Sequence, residues 1–439
     1  MSELWQTDHL GKYCYIKARI GWRGLSASEY TESGPYLIAG KHVENGVIDW
    51  ATCDHISEVR YRESWEIALS EGDIILTKDG TIGRVARIDS LPGKATINGT
   101  MMLIRPGEGL DYRFLYHVLN GEEFKRLIED KVSGSSIPHI FQRDMINLPI
   151  SFPPIEHQVR LAQILDTLDT TIRETEALID KLKAVKQGLL HDLLTRGIDA
   201  SGQLRPPQRE AQQLYKETPL GWIPREWAVV TLESVSSAVT SGSRDWAQFY
   251  SDCGALFVRI GNLTREHINF RYDVVIRVQP PVNGDGQRTK LEPGDILVSI
   301  TADLGVIGVV PEGMGEAYIN QHIALVRPSS SLVNSRFVGH YLAGPIMQTY
   351  ISQLNDAGAK AGLNLPTIRK LPSALPSRFE QDQIAARLDE IDNRIQNAIT
   401  EAKKLSELKS GLMNDLLTGR VRVTPPRESM QQATVPTGA

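Results

Sequence analysis

Apolar residues recur at alternating steps of four and three along two long segments of the chain. A seven-residue repeat of this kind predicts a helix with a narrow apolar seam, as in a coiled coil. The first seam consists of Leu161, Leu165, Leu168, Ile172, Ile179, Leu182, Leu189 and Leu193, with Thr175 and Lys186 interrupting it. The second consists of Ile384, Leu388, Ile391, Ile395, Ala398, Ala402, Leu405, Leu412 and Leu416, with Lys409 interrupting it.

Both helices are expected to begin just after prolines, at Phe152-Pro153-Pro154 and at Leu375-Pro376. A residue that precedes proline is disfavoured in the helical conformation, so these prolines mark helix starts. We therefore predict helices over residues 153–198 and 376–420. At 1.5 Å per residue, a helix of about 40 residues is about 60 Å long.

The two helices also repeat one another in sequence. Residues 158–195 match residues 381–418 without a gap, with 15 identities in 38 positions, and KQGLLHDLLT in the first becomes KSGLMNDLLT in the second. Two amphipathic surface helices, each packed only on its own domain, are the alternative to a coiled coil. The narrow seams and their common register favour the coiled coil.

A domain of roughly 150 residues precedes each helix, and these domains match more weakly. GDIIL, ATIN and LIRP in the first become GDILV, AYIN and LVRP in the second, each 222 residues later. The stretches DIILTKDGTIGRVARI and DILVSITADLGVIGVV are predicted to form hairpins. The stretches YRFLYHVLNGEEFKRLIED and SRFVGHYLAGPIMQTYISQL are each predicted to form one helix.

These patterns predict an α+β fold. Two mixed α/β domains, 1–152 and 220–375, are related by pseudo-twofold symmetry and separated by two long helices that form an antiparallel coiled coil. Residues 199–219 are polar and contain prolines, which is typical of a linker. Residues 421–439 are predicted to be a disordered tail.

Composition narrows the class of protein. With 439 residues, 41% apolar residues and 23% charged residues, the chain is typical of a soluble protein of two or three domains. The net charge of −5 gives no general attraction to a polyanion. Three scattered cysteines, the lack of a signal peptide and the lack of a long apolar run indicate a cytoplasmic protein.

Motifs for catalysis are absent from the sequence. There is no phosphate-binding loop, no HExxH, no glycine-rich cofactor loop and no Asn-Pro-Pro-aromatic motif of an amino-methyltransferase. Glu401-Ala402-Lys403 has the spacing of a nuclease metal site, but it lies in the middle of the second predicted helix, where a solvated charged face is expected. We therefore expect a binding protein with no catalytic residue, no metal and no cofactor of its own.

Proline-rich helix starts, followed by Glu156-His157-Gln158 and by Glu380-Gln381, combine here with long helices that end in DLLT and with repeated GDI hairpin domains. In this combination the chain resembles the specificity subunit of type I restriction–modification systems, over all but its tail. It departs from that family's Pro-Pro-x-x-Glu-Gln pattern at both sites, which read PPIEHQ and PSRFEQ.

The resemblance implies a division of labour. Each domain would be a target recognition domain that reads one half of a bipartite, asymmetric DNA site, and the helices would set the spacing of the halves. Two methyltransferase subunits, which bind S-adenosylmethionine and methylate adenine, would dock on the chain. Restriction motor-nuclease subunits would join them to give a restriction complex. A DNA-modifying enzyme with unrecognised motifs, and a coiled-coil adaptor without a DNA role, are the alternatives.

Candidate DNA contacts are polar residues at predicted turns, because arginine and lysine read guanine, and asparagine and glutamine read adenine, while hydroxyls and amides bind phosphate. In the first domain they are Arg19, Arg23, Lys78, Thr81, Arg84, Ser133, Ser135 and Ser136. In the second they are Ser243, Arg244, Arg259, Asn262, Arg265, Thr301 and Lys360. Trp22 and Trp246 lie beside these arginines, where a role in the core and a role in stacking on DNA are both open.

Overall fold

A computed structural model describes residues 5–18, 26–133, 138–280, 284–356 and 363–421. By its internal contacts the chain divides into two units, which are discontinuous in sequence. Unit 1 comprises Met1–Thr175 with Glu401–Ala439, and unit 2 comprises Glu176–Thr400. Each unit therefore contains one mixed domain and a part of both long helices.

The strands of unit 1 are β1 (Gln6–His9), β2 (Cys14–Ala18), β3 (Tyr30–Ile38), β4 (Val43–Glu44), β5 (Val47–Ile48), β6 (Asp54–Ile56), β7 (Ile74–Thr77), β8 (Val85–Arg87), β9 (Ala95–Ile97), β10 (Met101–Pro106) and β11 (Pro149–Phe152). Its helices are α1 (Glu58–Glu63), α2 (Tyr112–Val118), α3 (Glu122–Ser133), α4 (Gln142–Ile146) and the first half of α5 (Ile155–Thr195).

The strands of unit 2 are β12 (Tyr215–Thr218), β13 (Gly221–Pro224), β14 (Ala228–Thr231), β15 (Ser236–Ser241), β16 (Tyr250–Ser251), β17 (Ala255–Val258), β18 (Arg277–Val278), β19 (Ile296–Ser299), β20 (Ile307–Val309), β21 (Ala317–Ile319), β22 (Ile323–Pro328) and β23 (Pro372–Leu375). Its helices are the second half of α5, α6 (Gly284–Thr289), α7 (Ser335–Ala343), α8 (Pro345–Asp356), α9 (Leu365–Lys370) and most of α10 (Arg378–Leu416), whose end belongs to unit 1.

The two units repeat the same sheet topology. A four-stranded antiparallel sheet has the order β2-β10-β7-β8 in unit 1 and β15-β22-β19-β20 in unit 2. Beside it, β3 pairs in parallel with β9, and β17 pairs in parallel with β21. The predicted hairpins are confirmed as β7–β8 and β19–β20. The α+β prediction with two repeated domains is confirmed as well.

A buried ion pair fixes the start of each hairpin. Asp73 and Asp295 are each 1% exposed. Each receives two hydrogen bonds from an arginine on the neighbouring strand, Arg105 in unit 1 and Arg327 in unit 2. A buried carboxylate is stable only when its oxygens are satisfied, and the bidentate arginine satisfies both. The repeated GDI and IRP or VRP motifs are therefore two halves of one structural contact.

The stretch after each sheet differs from the single helix that was predicted. In unit 1 it consists of α2 and α3, separated around Gly121, and in unit 2 of α7 and α8, separated at Gly344-Pro345. Proline has no backbone N–H to continue a helical ladder, so Pro345 starts a new helix in place of extending the old one.

The seam positions are buried as the periodicity predicts. Every predicted apolar position on α5 and α10, and each of the polar interruptions Thr175, Lys186 and Lys409, is buried or half-buried. Leu178, Val185 and Leu408 lie off the seam and are exposed. The seams are therefore the sides of the helices that face the interior of each unit.

The two helices run antiparallel in each unit. In unit 1, Leu161 near the start of α5 shares a core with Leu416 at the end of α10. In unit 2, Leu190 and Leu194 near the end of α5 share a core with Ile384 near the start of α10. The predicted antiparallel pairing is found in both.

Residues 199–219, predicted as a linker, are packed structure in unit 2. Arg205 is 8% exposed and pairs with Glu380 at the start of α10, with 2.5 Å between Nη1 and Oε1. Trp227 Nε1 and the Ile198 backbone N–H also donate to Glu380 Oε1. A buried charge has to be paired and hydrogen-bonded, and that requirement fixes this polar segment in place. The predicted tail, 421–439, lies outside the described residues beyond Val421.

Candidate nucleic-acid interface

The hairpin loops of the two units have the same internal frame. In unit 1 the Thr77 hydroxyl donates to the Thr81 carbonyl at 2.6 Å and accepts from the Arg84 N–H at 2.9 Å. In unit 2 the Ser299 hydroxyl donates to the Asp303 carbonyl and accepts from the Val306 N–H at 2.8 Å. A hydroxyl that bonds both sides of a loop closes it locally, so each loop presents its tip in a fixed conformation.

A second loop lies against each hairpin loop, where two parallel strands end. The Asn98 N–H donates to the Ile38 carbonyl at the end of β3, and the Asn320 N–H donates to the Val258 carbonyl at the end of β17. The Lys78 N–H donates to the Thr100 carbonyl at 2.8 Å, and the Ile300 N–H to the His322 carbonyl at 3.0 Å. We call these the strand-end surfaces: residues 77–83 with 98–100 in unit 1, and residues 299–305 with 320–322 in unit 2.

The strand-end surface of unit 1 carries a charged network. Lys78 Nζ lies 2.7 Å from Asp79 Oδ2, and His139 Nδ1 contacts Asp79 Oδ1. Burial by itself raises the pKa of Asp79, but the hydrogen bonds from Lys78 and His139 outweigh it and hold the pKa below its ordinary value. Lys78 is 9% exposed, so its ammonium is committed to Asp79, while Thr81 and Arg84 are exposed.

The strand-end surface of unit 2 carries different side chains on that frame. Thr301 Oγ1 and His322 Nδ1 lie 2.8 Å apart, and Gln321 Nε2 lies 3.1 Å from His322 Nε2. Ser243 forms an isolated parallel β-bridge with Asn320. The exposed Arg244, which follows it, therefore lies beside this surface. Arg259 follows β17 directly and is half-buried.

Four of the candidate residues in unit 2 are therefore brought together: Ser243, Arg244, Arg259 and Thr301. Asn262 is nearby but buried, and its side chain bonds the backbone of Arg259, Arg271 and Val274. That geometry gives Asn262 the role of closing its own turn. Arg265 is exposed and contacts Asp303 and Gln348.

Several candidates lie outside the described residues: Arg19, Trp22, Arg23, Ser135, Ser136 and Lys360. Ser133 is the last residue of α3, and its side chain is not described either. Trp246 is 4% exposed and stacks on Phe257 with 5.1 Å between ring centroids, so it belongs to the core of unit 2. Nothing in the sequence singled out Asn320, Gln321 and His322 as site residues, although Asn320 belongs to the repeated AYIN motif.

A histidine–aspartate contact joins each domain to a long helix. His117 Nε2 lies 2.9 Å from Asp166 Oδ1 in unit 1, and His340 Nε2 lies 2.7 Å from Asp389 Oδ1 in unit 2. Arg87 and Arg336 pair with the same two aspartates. Sequence reasoning missed this contact, although all four His and Asp residues obey the 223-residue repeat.

His117, Asp166 and Asp169 lie close enough to hold a metal ion, with ligand atoms within 4.8 Å of one another. Each carboxylate already has a cationic partner, because Arg87 pairs with Asp166 and Lys409 with Asp169. The cluster therefore has the chemistry of a salt-bridge network.

Among the helices in the described ranges, none is both long and apolar enough to span a membrane.

The family model described as the type I restriction modification DNA specificity domain matches residues 26–184 and 224–410. The type I restriction enzyme MjaVIII specificity subunit of Methanocaldococcus jannaschii is 25% identical over 369 residues, which cover 82% of this chain and 81% of that protein. The type I restriction enzyme EcoKI specificity subunit of Escherichia coli is 21% identical and covers 84% of this chain and 80% of its own.

Among solved structures, the fold resembles that of the S subunit of a type I restriction–modification system from M. genitalium. The TM-score is 0.62 at 16% identity, and the match covers 95% of this chain and 97% of that one.

Proposed function

Because the chain belongs to the type I restriction modification DNA specificity family, we propose that each of its two units reads one half of a bipartite, asymmetric DNA site. Its role in that family is DNA sequence recognition and not catalysis. The alternatives of a modifying enzyme and of an adaptor without a DNA role are therefore set aside.

The observation that carries the proposal is the pair of strand-end surfaces. Both have the same backbone frame, closed by Thr77 in unit 1 and by Ser299 in unit 2. The side chains on the two frames differ. Unit 1 carries Lys78, Asp79 and His139, whereas unit 2 carries Thr301, Gln321 and His322. One frame with two sets of hydrogen-bonding groups suits the reading of two different base sequences.

The long helices are proposed to set the spacing between the half-sites. DNA presents equivalent groove faces about one helical turn apart, so a rigid connection selects particular spacings. The antiparallel segments and the buried seam positions in each unit support this role.

The partners are proposed on the same basis. Two methyltransferase subunits would dock on the chain in the cytoplasm, bind S-adenosylmethionine and methylate adenine in each half-site, and restriction motor-nuclease subunits would join them. This chain would hold no cofactor. Leu178 and Val185 are exposed apolar residues seven positions apart on α5, and such subunits would cover them there.

Domain exchange tests the proposal. Residues 5–152 are replaced by the equivalent region of a relative with a different site, and methylated adenines are mapped across the genome of a host that expresses the complex. We expect one half-site to change while the other half-site and the spacing stay. A reciprocal exchange of residues 220–375 should change the other half. Changes in both halves from one exchange would refute separate reading by the two units.

A further inference from the structure

The loop before Trp246 is anchored at both of its ends. At one end Gly242 packs so closely on the strand-end surface that a Cβ there would lie 2.0 Å from the Asn320 carbonyl oxygen. At the other end Trp246 stacks on Phe257 and contacts Tyr318 in the core. Ser243, Arg244 and Asp245 thus form a short span between two fixed points.

A second arginine holds this span from the side. Arg288 donates to the Thr240 hydroxyl at 2.7 Å, to the Ser241 carbonyl, and to the Ser243 hydroxyl at 2.5 Å. Its guanidinium therefore connects the end of β15 with Ser243, on the two sides of Gly242. The arginine fork makes such multiple contacts at low entropic cost, so Arg288 serves the shape of the loop.

The backbone of the span has an uncommon conformation. Asp245 has φ of +63°, in the left-handed region, which aspartate adopts more readily than most residues other than glycine. Ala302, on the neighbouring hairpin loop, has φ of +57°. Strained residues persist where the surrounding structure determines them, and they concentrate at functional sites.

Arg244 is exposed on this rigid span. Within the described ranges its guanidinium takes part in no hydrogen bond or ion pair, whereas Arg265 and Arg288 are each tied to neighbouring groups. A fixed backbone that presents an uncommitted arginine lowers the entropy lost on binding. The planar guanidinium of Arg244 can donate two parallel hydrogen bonds to a pair of acceptor atoms that lie in one plane.

We propose that Arg244 distinguishes guanine in the half-site read by unit 2, by donating to its O6 and N7 in the major groove. This inference rests on the proposed function and specifies one residue and one base within it. Bidentate arginine–guanine pairing discriminates against the other bases by about 10- to 100-fold.

The test uses the full chain assembled with its methyltransferase subunits and a randomised library of duplex DNA. Binding motifs are determined for the wild type, Arg244→Ala, Arg244→Lys and the control Arg209→Ala. Arg209 is also an exposed arginine of unit 2, but it lies in the segment before β12 and pairs with Glu210.

We expect Arg244→Ala to reduce the preference for guanine at one position of one half-site by about 10- to 100-fold. The other half-site and the affinity for random DNA should stay close to the wild type. Arg244→Lys should keep only part of the preference for guanine, because an ammonium can donate to guanine but does not present a planar pair of donors. Arg209→Ala should leave the motif unchanged.

An unchanged motif for Arg244→Ala would overturn the inference. Equal weakening on all DNA sequences would do so too, because it would assign Arg244 to a phosphate. If the wild-type complex selected no two-part motif, the proposed function itself would fall, and with it the basis of the inference.

Discussion

Lys186 on α5 pairs with Asp392 on α10 in unit 2, with 2.5 Å between Nζ and Oδ1. The pair is buried, with 7% and 1% of the two residues exposed, and Lys186 also donates to the Glu266 carbonyl. The repeat-related pair forms in unit 1, where the lysine, Lys409, lies on α10 and the aspartate, Asp169, lies on α5. The lysines that interrupt both apolar seams therefore connect the two helices once in each unit.

Removing the ammonium should leave the Asp392 carboxylate buried and unpaired. We expect Lys186→Met to lower the free energy of unfolding by about 3–5 kcal/mol. The repeat-related Lys409→Met is the matched control. Its side chain and that of Asp169 are 22% and 24% exposed, so the loss should be about 1 kcal/mol or less. Urea denaturation of both variants measures this, and equal losses would contradict a dominant role of burial.

The double variant Lys186→Met with Asp392→Leu removes both charges together. Replacing a buried pair by apolar groups is often neutral, so we expect it to regain most of the stability that Lys186→Met loses. A double variant as unstable as the single one would show that the cost lies in packing and not in the orphaned charge.

Gln381 caps the interface between α10 and α7 and is 1% exposed. Its Oε1 accepts from the Asn334 N–H at 2.8 Å, and its Nε2 donates to the Pro376 carbonyl at 2.9 Å. Gln381→Leu should cost about 1–3 kcal/mol, because it leaves buried backbone groups without partners. The exposed Gln383 on the same helix is the control, and thermal unfolding of Gln383→Leu should match the wild type. A similar loss in both variants would count against the capping role.

The stability of unit 2 should depend on pH through Asp389. Burial raises its pKa, but hydrogen bonds from His340 and Arg336 outweigh this and lower the pKa from 3.8. A carboxyl with a lower pKa in the folded state stabilises the fold above its unfolded pKa, and this stabilisation is lost as pH falls through the folded value.

We therefore expect Asp389→Asn to be less stable than the wild type by about 1.5–3 kcal/mol at pH 6, the usual contribution of a charged hydrogen bond. The difference should shrink as pH falls below 3.8. Denaturation curves at several pH values, with the exposed Asp252→Asn as control, check this. A difference that stays constant down to pH 2 would contradict the assignment.

Ala302 has φ of +57°, and the corresponding residue of the unit 1 hairpin loop, Gly80, has φ of +74°. Glycine adopts this conformation without steric cost, so Ala302→Gly should raise the free energy of unfolding by about 1 kcal/mol. Asn45→Gly, at φ of +50°, is the control and should gain less, because asparagine tolerates the left-handed region. Calorimetric melting compares them, and a destabilised Ala302→Gly would show that the alanine methyl makes a compensating contact.

Much of the architecture follows from local sequence. The heptads locate α5 and α10 to within a few residues of Ile155–Thr195 and Arg378–Leu416. The GDI hairpins and the internal repeat were also predicted correctly. Such features depend on periodicity and turn residues, which are written within a few residues of each other along the chain. The helix breaks at Gly121 and at Gly344-Pro345 had local signals too, and the single-helix prediction overlooked them.

Other features depend on residues that are distant in sequence. Lys186 and Lys409 were visible as interruptions of the seams, but nothing in the sequence identified Asp392 and Asp169 as their partners. The polar composition of residues 199–219 predicted a linker, and only the tertiary structure placed Arg205 against Glu380. A buried charge is stabilised by whichever partner the fold supplies, and composition does not specify that partner.

The sequence by itself thus determined the repeat, the long helices and the family, because each is carried by local or periodic patterns. Only the tertiary structure decided that Ser243, Arg259 and Thr301 meet around Asn320. The side chain of Asn262 instead bonds the backbone of its own turn. The register of β17 against β21 controls that meeting. Strand register is a non-local property, and it decides which side chains of distant loops share a surface.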